Sequence, residues 1–286
     1  MPNICILTPA ENYEEDWTVL EADYRRLFGD TIIFRRWTAP GDLSGFDLVS
    51  PLIAWGYQRD CPTWFALLDR MEAEGIAACN PVSVLRWNSD KAYLAELDAA
   101  GVATVPTRVS NALDQEALDS ARSEFVTETL VIKPPISGGA DGTFRLAASD
   151  LLPASVAGQR MMIQPFLPSI MAEGEYSLFY FGGVFSHSII KRPAAGDFRV
   201  QDQFGGYEEP VEAPKGAKKL AAAALTATAT ITQTGALPYA RADILRDEEG
   251  NFRLMELELI EPSLFLRFAN DKGAAFANAM ISRCPH

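Results

Sequence analysis

The stretch FRLMELELIEPSLF, residues 252–265, places three glutamates inside a strongly apolar run. In a β-strand, alternate side chains point to opposite faces, so the apolar residues would face one side and Glu256 and Glu258 the other. At a rise of about 3.3 Å per residue, these two carboxylates lie roughly 7 Å apart. Unless water solvates this face, the pair requires a cation. A half-exposed strand with a polar outer face is the alternative, and the pattern alone leaves both readings open.

The longer segment YARADILRDEEGNFRLMELEL, residues 239–259, predicts a β-hairpin with its turn at residues 247–250. This turn places Arg246 opposite Asn251, and residues directly opposite each other share a face. A slip of one residue would separate the charged side chains. In this register one face collects an arginine and three carboxylates: Arg241, Asp243, Glu256 and Glu258. Such a face suits a hard divalent cation bound beside phosphate oxygens, because Mg²⁺ prefers a few carboxylates plus substrate oxygens.

A second segment, VIKPPISGGADGTFRL at residues 131–146, indicates a phosphate-binding loop. Glycines let backbone amides approach phosphate oxygens closely, and a nearby lysine adds a positive charge. The segment is not a P-loop, because GxxxxGK[ST] is absent and strands rather than a helix follow. A flexible hairpin loop without a ligand is the alternative. The residues that carry this hypothesis are Lys133, Ser137, Gly138, Gly139 and Gly142.

The composition is that of a soluble globular protein: 286 residues, of which 48% are hydrophobic and 22% charged. The length suits two or three lobes. No run approaches the roughly 20 apolar residues of a membrane span, and the N-terminus lacks the pattern of a signal peptide. We therefore expect a cytoplasmic protein without a membrane partner.

Charge and cysteine usage exclude further classes of function. The formal net charge of −13 argues against a general nucleic-acid or anionic-membrane surface. The four cysteines form no CxxC pair, so free thiols are expected and a zinc site is not. Only two histidines are present, which leaves little material for a Ser-His triad.

The order of the predicted elements divides the chain into three parts. Strands and helices alternate over residues 1–80, which predicts a small parallel α/β domain. From about residue 105 the strands become hairpin-like, and an alanine-rich helix is expected between Gly216 and Gly235. The predicted domains are residues 1–104, an N-terminal α/β domain; 105–168, a small lobe with the glycine-rich loop; and 169–286, a C-terminal lobe with the metal site.

The order of the motifs resembles that of the ATP-grasp superfamily over roughly residues 85–270. The motifs are Lys91 in NSDKAYLAEL, the loop after Lys133, the apolar strand MMIQPFL at residues 161–167, and the late carboxylate hairpin. IKRPAAGDFRVQDQFGG at residues 190–206 is similar to a segment of glutathione synthetases and RimK-like ligases. The resemblance implies an α/β ATP-grasp fold: an N-terminal parallel α/β pre-ATP-grasp domain, followed by two α+β lobes that enclose the nucleotide.

The resemblance also implies roles for individual residues. Those implied to contact the phosphates of ATP are Lys91, Lys133, Lys191, Arg241, Ser137, Gly138, Gly139 and Gly142. Those implied to hold the adenine and the ribose are Gln164, Phe166, Leu167 and Glu175. Those implied to bind Mg²⁺, with Mn²⁺ as an alternative, are Asp243, Glu256 and Glu258. Two positions depart from the family pattern, since Glu258 and Gln201 stand where asparagines are usual.

The implied activity is that of an ATP-dependent ligase. A small amino-acid-like carboxylate would be coupled to an amine through an acylphosphate, with release of ADP and phosphate. The motifs ELELIEPSLFL and DFRVQ resemble most the branch that includes the O-ureidoserine cyclo-ligase of cycloserine biosynthesis, so the coupling could be intramolecular. Arg199 would stabilise the acylphosphate, with Lys191 and Arg241 beside it. We expect packing not to explain Arg199, because few apolar residues surround it in sequence.

Two alternatives stay open: a nucleotide-binding protein without catalysis, and a kinase of the same fold that uses His187 as a base. The expected partners are a small-molecule carboxylate and an amine, with a homodimer as the possible assembly and no nucleic acid. Candidate substrate contacts are Trp55, Tyr57, Trp87 and Ser263. Each has an alternative, because aromatic residues in such loops mostly pack and Ser263 could cap a helix.

Overall fold

The computed structural model describes residues 2–284, which form a mixed α/β fold around three β-sheets. None of the helices in this part of the chain has the length and apolarity to cross a membrane. All four cysteines are free thiols, as predicted. The helices are α1 (Glu21–Phe28), α2 (Cys61–Ala73), α3 (Val82–Asn88), α4 (Tyr93–Ala99), α5 (Gln115–Phe125), α6 (Ser169–Ala172), α7 (Lys215–Ile231) and α8 (Ala274–Ile281).

The first sheet is parallel, as predicted, with β1 (Ile4–Thr8) between β2 (Ile33–Arg36) and β3 (Leu48–Ser50). Every residue of β1 is buried, because helices cover both faces of the strand. Ile4 and Ile6 pack in the cluster that contains α1 and α8 residues. The intervening side chains of β1 pack in the cluster that contains the buried face of α2.

The second sheet is antiparallel and has the order β4-β7-β5-β6. Its inner face packs against α5, which begins at the side-chain cap of Asp114. The loop that joins β5 to β6 is the predicted glycine-rich loop. The strands are β4 (Arg108–Ser110), β5 (Thr129–Lys133), β6 (Phe144–Ala147) and β7 (Met161–Pro165).

The third sheet is also antiparallel and has the order β10-β9-β8-β11-β12. The alanine-rich α7 lies on one face, where Ala217, Ala221 and Ala224 are fully buried and bring the helix close to the sheet. The strands are β8 (Glu175–Phe181), β9 (Val184–Arg192), β10 (Tyr207–Pro210), β11 (Tyr239–Arg246) and β12 (Phe252–Glu258). Each of the three sheets falls inside one predicted domain, and the boundaries themselves stay predictions.

The register of the β11–β12 hairpin differs from the predicted one. Arg246 pairs with Phe252 rather than with Asn251, a slip of one residue that would turn the charged side chains to opposite faces. A β-bulge between Asp243 and Ile244 shifts the register by one further residue, so that Asp243 lies opposite Glu256. The two shifts cancel in their effect on the faces. The predicted grouping of the four charged residues is therefore confirmed, although the predicted pairing is wrong.

The outer edge of β12 is covered by backbone and side-chain groups from earlier parts of the chain. The backbone of Leu254 exchanges hydrogen bonds with Ala103 and Val105. The Tyr93 hydroxyl accepts from the Leu257 amide at 2.7 Å and donates to its carbonyl at 2.9 Å. The Asn88 side chain likewise donates to the Leu257 carbonyl and accepts from the Leu259 amide. These contacts satisfy an edge strand that would otherwise expose its backbone groups.

We expect Tyr93→Phe to lower the melting temperature, because the buried Leu257 amide loses its acceptor. A buried donor left without a partner costs about 1–3 kcal/mol of unfolding free energy. Tyr207→Phe is the matched control, since Tyr207 is 53% exposed. Differential scanning calorimetry on both variants makes the comparison. Equal melting temperatures for the two would show that the edge contact contributes nothing to stability.

Candidate active site

A cavity of about 500 Å³ opens between the second and third sheets and a loop of the N-terminal domain. Its size lies in the usual range for a small-molecule or cofactor site. All but one of the predicted site residues line it, together with Trp55, Tyr57 and Ser263 from the proposed substrate contacts. The predicted residues that line it are Lys91, Lys133, Ser137, Gly138, Gly139, Gln164, Phe166, Leu167, Glu175, Lys191, Arg199, Arg241, Asp243, Glu256 and Glu258.

One part of the cavity is an apolar slot. Its residues pack into a cluster of their own, contributed by the second and third sheets and their connections. Gln164 lies beside the slot, and its side-chain amide donates to the Thr107 hydroxyl at 2.8 Å. A flat heterocycle fits such a slot because its faces are apolar and its edges carry hydrogen-bonding groups. The buried cluster consists of Val105, Phe166, Leu167, Ile170, Val200 and Leu245.

The glycine-rich loop is held over the cavity by several contacts. The backbone amide of Lys91 donates to the Pro135 carbonyl at 2.8 Å, and its ammonium donates to the Ser137 carbonyl. On the other side, the Gln203 amide group donates to the Gly139 carbonyl at 3.0 Å. Gly142 does not line the cavity in this structure. Its φ of +67° and its close approach to Pro134 explain why glycine stands there.

One wall of the cavity contains a buried network of charges. The Lys191 ammonium lies 3.0 Å from a Glu175 oxygen and 3.6 Å from an Asp243 oxygen. The Arg241 guanidinium donates to both oxygens of Asp243, and also contacts Glu258. Buried charges require this kind of pairing, because an isolated ion in the interior is strongly disfavoured.

The surroundings shift the pKa values of these groups in opposite directions. Burial opposes ionisation of Asp243, but Arg241 and Lys191 outweigh it, and the pKa falls to about 2. Burial raises the pKa of Glu258 to about 8, with repulsion from Asp243 and Glu256 adding to it against the pull of Arg241. Burial likewise lowers the pKa of Lys133. Glu258 is thus short of positive charge despite its contact with Arg241.

The two carboxylates Glu256 and Glu258 have the chemistry and the access to the cavity that binding of a divalent cation requires. Their side chains are 18% and 26% exposed toward the cavity, and their charges repel. Asp243 is less available, because Ser177 and Arg241 occupy its oxygens. Within residues 2–284, no three carboxylate, histidine or cysteine side chains lie close enough to hold a metal by themselves. A Mg²⁺ ion here would need nucleotide oxygens and water to complete its ligand shell, as Mg²⁺ usually does.

Arg199 lines the cavity but also has a structural role that the sequence did not predict. Its guanidinium donates to both oxygens of Asp197, at 3.1 and 2.7 Å, and lies 3.5 Å from the centre of the Phe204 ring. The expectation that packing does not explain Arg199 is therefore wrong. Both contacts orient the planar group, and its side chain stays 31% exposed.

Two other candidates lie outside the cavity. Trp87 packs against Tyr93 with ring centres 4.7 Å apart, and its indole donates to Glu96. His187 is buried against Phe179, and its Nε2 bonds to the Leu264 carbonyl, so no base for a kinase reaches the cavity from this position. Ser263 does not cap a helix, because the 3₁₀ turn that follows begins only at Leu266.

Several cavity residues were not predicted as site residues. The loop after β3 contributes Gln58 and Arg59 besides the two aromatic candidates, and the chain after β12 contributes Glu261. Burial raises the pKa of Glu261 to about 7, with Glu256 adding to it against the pull of Lys91. The signal for Glu261 was present in the opening stretch, as the third glutamate of the apolar run.

Comparison with known proteins identifies close relatives, although no protein-family model matches the chain. The cycloserine biosynthesis protein DcsG of Streptomyces lavendulae is 30% identical over 255 residues, which cover 85% of this chain and 85% of that protein. The glutathione synthetase of Prochlorococcus marinus strain MIT 9313 is 26% identical over 225 residues, 76% of this chain and 67% of that protein.

The crystal structure of D-cycloserine synthetase DcsG matches this fold with a TM-score of 0.83 at 29% identity, covering 98% of this chain and 99% of that chain. This agreement confirms the fold class and the resemblance that the motif order indicated. The alternative of a nucleotide-binding protein without catalysis is not supported, because these relatives are ATP-dependent ligases. The chain belongs to the ATP-grasp superfamily and is an ATP-dependent ligase.

Proposed function

We propose that the enzyme activates a small, amino-acid-like carboxylate as an acylphosphate and closes it onto an amine of the same molecule, as an O-ureidoserine cyclo-ligase does. One observation carries the proposal: an apolar slot and a buried charged network share one cavity, in a chain 30% identical to a cycloserine biosynthesis protein. Coupling of two separate molecules at the same site is the alternative.

In this proposal the apolar slot holds the adenine, with Gln164 at its edge, and Glu175 binds the ribose. Lys91 and Lys133 lie on the glycine-loop side of the cavity, and Lys191 and Arg241 in the third sheet. Cations on both sides suit a triphosphate chain, because charge-assisted hydrogen bonds to phosphate are strong. The domain and residue assignments stand as proposals.

The first step is attack of a substrate carboxylate oxygen on the γ-phosphorus. A new oxygen–phosphorus bond forms, the bond to the β–γ bridging oxygen breaks, and ADP leaves. The amine nitrogen then attacks the acyl carbon, loses a proton, and displaces inorganic phosphate. Such chemistry needs positioning and charge stabilisation rather than a covalent nucleophile.

Arg199 stabilises the acylphosphate and the tetrahedral intermediate in this scheme. Its planar guanidinium can bind two oxygens at once, and Asp197 and Phe204 restrict its orientation. Glu256 and Glu258 would hold Mg²⁺, with Asp243 added if Arg241 releases an oxygen, and the bound ion neutralises charge on the phosphate oxygens.

The central experiment incubates the enzyme with ATP, Mg²⁺ and O-ureidoserine. We expect ADP and phosphate in equal amounts, a cyclised product identified by mass spectrometry, and no turnover after the metal is removed with EDTA. Release of AMP and pyrophosphate would contradict the acylphosphate. A product that forms only with an added amine would favour the intermolecular alternative.

Glu256→Gln should abolish turnover and leave the melting temperature nearly unchanged. The metal loses a ligand, whereas relief of the repulsion between Glu256 and Glu258 offsets the loss of the ion pair with Lys91. Glu249→Gln, on the exposed hairpin turn, is the matched control and should keep full turnover. A fully active Glu256→Gln enzyme would place the metal elsewhere and restore the reading of a solvated strand face.

Arg199→Lys should preserve ATP affinity and raise the barrier by roughly 2–4 kcal/mol, the usual loss when one preorganised donor to a developing oxyanion is removed. An ammonium cannot replace the two-pronged guanidinium. Nucleotide affinity by calorimetry and turnover by ADP release separate the effects. Equal losses in both would make Arg199 a phosphate anchor, and no loss in either would leave only its contacts with Asp197 and Phe204.

A further inference from the structure

Gln58 lines the cavity, but the proposed mechanism gives it no role. It is the central residue of a 3₁₀ turn that immediately precedes α2. Contacts with other parts of the N-terminal domain hold both of its neighbours in this turn. The buried Tyr57 ring lies 5.0 Å from the ring of Trp64, and the Arg59 guanidinium donates to both oxygens of Glu14. The turn therefore presents the Gln58 side chain from a well-supported backbone.

The Gln58 carboxamide packs against Gly138 of the glycine-rich loop. A Cβ atom at Gly138 would lie 3.1 Å from Nε2 of Gln58, 3.3 Å from its Cδ and 3.5 Å from its Oε1. The amide thus occupies the space that a side chain at this position would need. Gly139 has a φ of +59°, but the backbone of Gly138 lies outside the left-handed region. The close approach of Gln58, rather than the backbone conformation, therefore explains the glycine at position 138.

The same carboxamide lacks hydrogen-bond partners in the part of the chain that the structure describes. Its Oε1 is buried without a donor, and its Nε2 donates to no acceptor within residues 2–284. Elsewhere the loop is held by hydrogen bonds, from Lys91 to the Ser137 carbonyl and from Gln203 to the Gly139 carbonyl. Burying a polar group without a partner is unfavourable, and such groups in folded proteins are uncommon.

A ligand in the cavity can supply the missing partner. Trp55 and Tyr57 lie in the same loop as Gln58 and line the cavity on the side of the proposed substrate contacts, whereas Gly138 lies on the side of the proposed phosphate contacts. Gln58 is therefore located where an acid would meet the γ-phosphate. A neutral amide suits a carboxylate there, because it orients the group without cancelling the negative charge that attacks phosphorus.

We propose that Gln58 is a positioning residue that donates a hydrogen bond to the carboxylate of the substrate acid and, through its contact with Gly138, links binding of the acid to closure of the glycine-rich loop over ATP. The inference rests on the proposed function and deepens it. Closure of the loop removes the carboxamide from water, and the bound acid offsets that cost. The loop therefore closes most readily when both substrates are present, which limits transfer of the phosphoryl group to water.

The first experiment measures this link without turnover. Calorimetry gives the Kd of the non-hydrolysable analogue AMPPNP with Mg²⁺, alone and with saturating O-ureidoserine. In the wild type, the acid should tighten binding of AMPPNP, and AMPPNP should tighten binding of the acid by the same factor. In Gln58→Ala this coupling factor should fall to about one, while the Kd of AMPPNP alone stays nearly unchanged.

Turnover gives a second readout that a general loss of stability would not produce. In Gln58→Ala, KM for the acid should rise roughly 10- to 100-fold, the loss expected for one hydrogen bond to a charged group. ADP release should also exceed product formation, because water reaches the γ-phosphate before the acid is in place. Gln115→Ala, exposed at the start of α5, is the matched control and should equal the wild type in both respects.

Gly138→Ala tests the contact with the loop. The added methyl group would meet the Gln58 amide, so this variant alone should lose turnover. In the Gln58→Ala background the space is vacant, and the same change should cost little. Combined with Gln203→Ala, whose side chain contacts Gly139 instead, Gly138→Ala should keep its full cost. Additive losses for Gln58 and Gly138 would show that the two residues act separately, and would overturn the inference.

The outcomes for the two proposals are distinguishable. ADP release with O-ureidoserine and an unchanged coupling factor in Gln58→Ala would remove the role of Gln58 and keep the ligase. Weaker binding of AMPPNP alone would make Gln58 a nucleotide contact, which also overturns the inference. No ADP release with any acid would overturn the proposed function, and this inference with it. If Gln58→Ala does not fold, Gln58→Met, which keeps the length of the side chain but not its amide, provides the same comparison.

Discussion

The charged face of this protein depends on one β-bulge. Without the extra residue on β12, Met255, opposite the step from Asp243 to Ile244, the hairpin register set at its turn would point Glu256 and Glu258 away from Arg241 and Asp243. A bulge leaves one residue unpaired and disrupts the ladder locally, so it weakens strand pairing. The compensation lies on the other edge of β12, where backbone and side-chain groups satisfy its amides and carbonyls.

The N-terminal part of the chain therefore has two tasks. It supplies Trp55 and Tyr57 to the cavity, and through Asn88 and Tyr93 it holds the strand that carries the carboxylates. Asn80 adds hydrogen bonds to the carbonyls of Leu259 and of the first β11 residue. The loop that carries Trp55 and Tyr57 and the strand that carries the carboxylates are thus both held by the N-terminal part of the chain.

Most of the architecture could be predicted from the sequence, because it depends on patterns that are local. The parallel sheet, the alanine-rich helix and the late hairpin each follow from periodicity and from turn residues. The pairing within the hairpin could not, since a bulge shifts the register without a strong signal in composition. Helix α5 was overlooked although Asp114 is a recognisable cap, and α8 because a short apolar run does not distinguish helix from strand.

The site residues show the same difference between features with a local sequence signal and features that depend on the three-dimensional arrangement. Residues tied to a motif, such as Lys133, Gly138 and Gly139, line the cavity as the motif predicts, whereas Gly142 serves the shape of the loop. The contacts of Arg199 were not predicted. Asp197 and the aromatic ring of Phe204 are close to Arg199 in sequence, but they reach its guanidinium only because the chain makes a tight turn. Trp87 was a candidate because of its residue type, but in the structure its ring packs against Tyr93 and lies outside the cavity.

The balance of charge in the cavity is what connects fold to function. Four cations and five carboxylates gather where water is scarce, and each pair that forms lowers the cost of burying both members. A ligand gains binding energy where it contacts a charged side chain that lacks a full set of partners. Lys133 lacks a carboxylate within ion-pair distance in residues 2–284, which suits a phosphate. Glu256 and Glu258 share their cations, Lys91 and Arg241, with other acceptors, which suits an added divalent metal. The side chains without a full set of partners thus indicate the charges of the ligands: an anionic phosphate at Lys133, and a metal cation at Glu256 and Glu258.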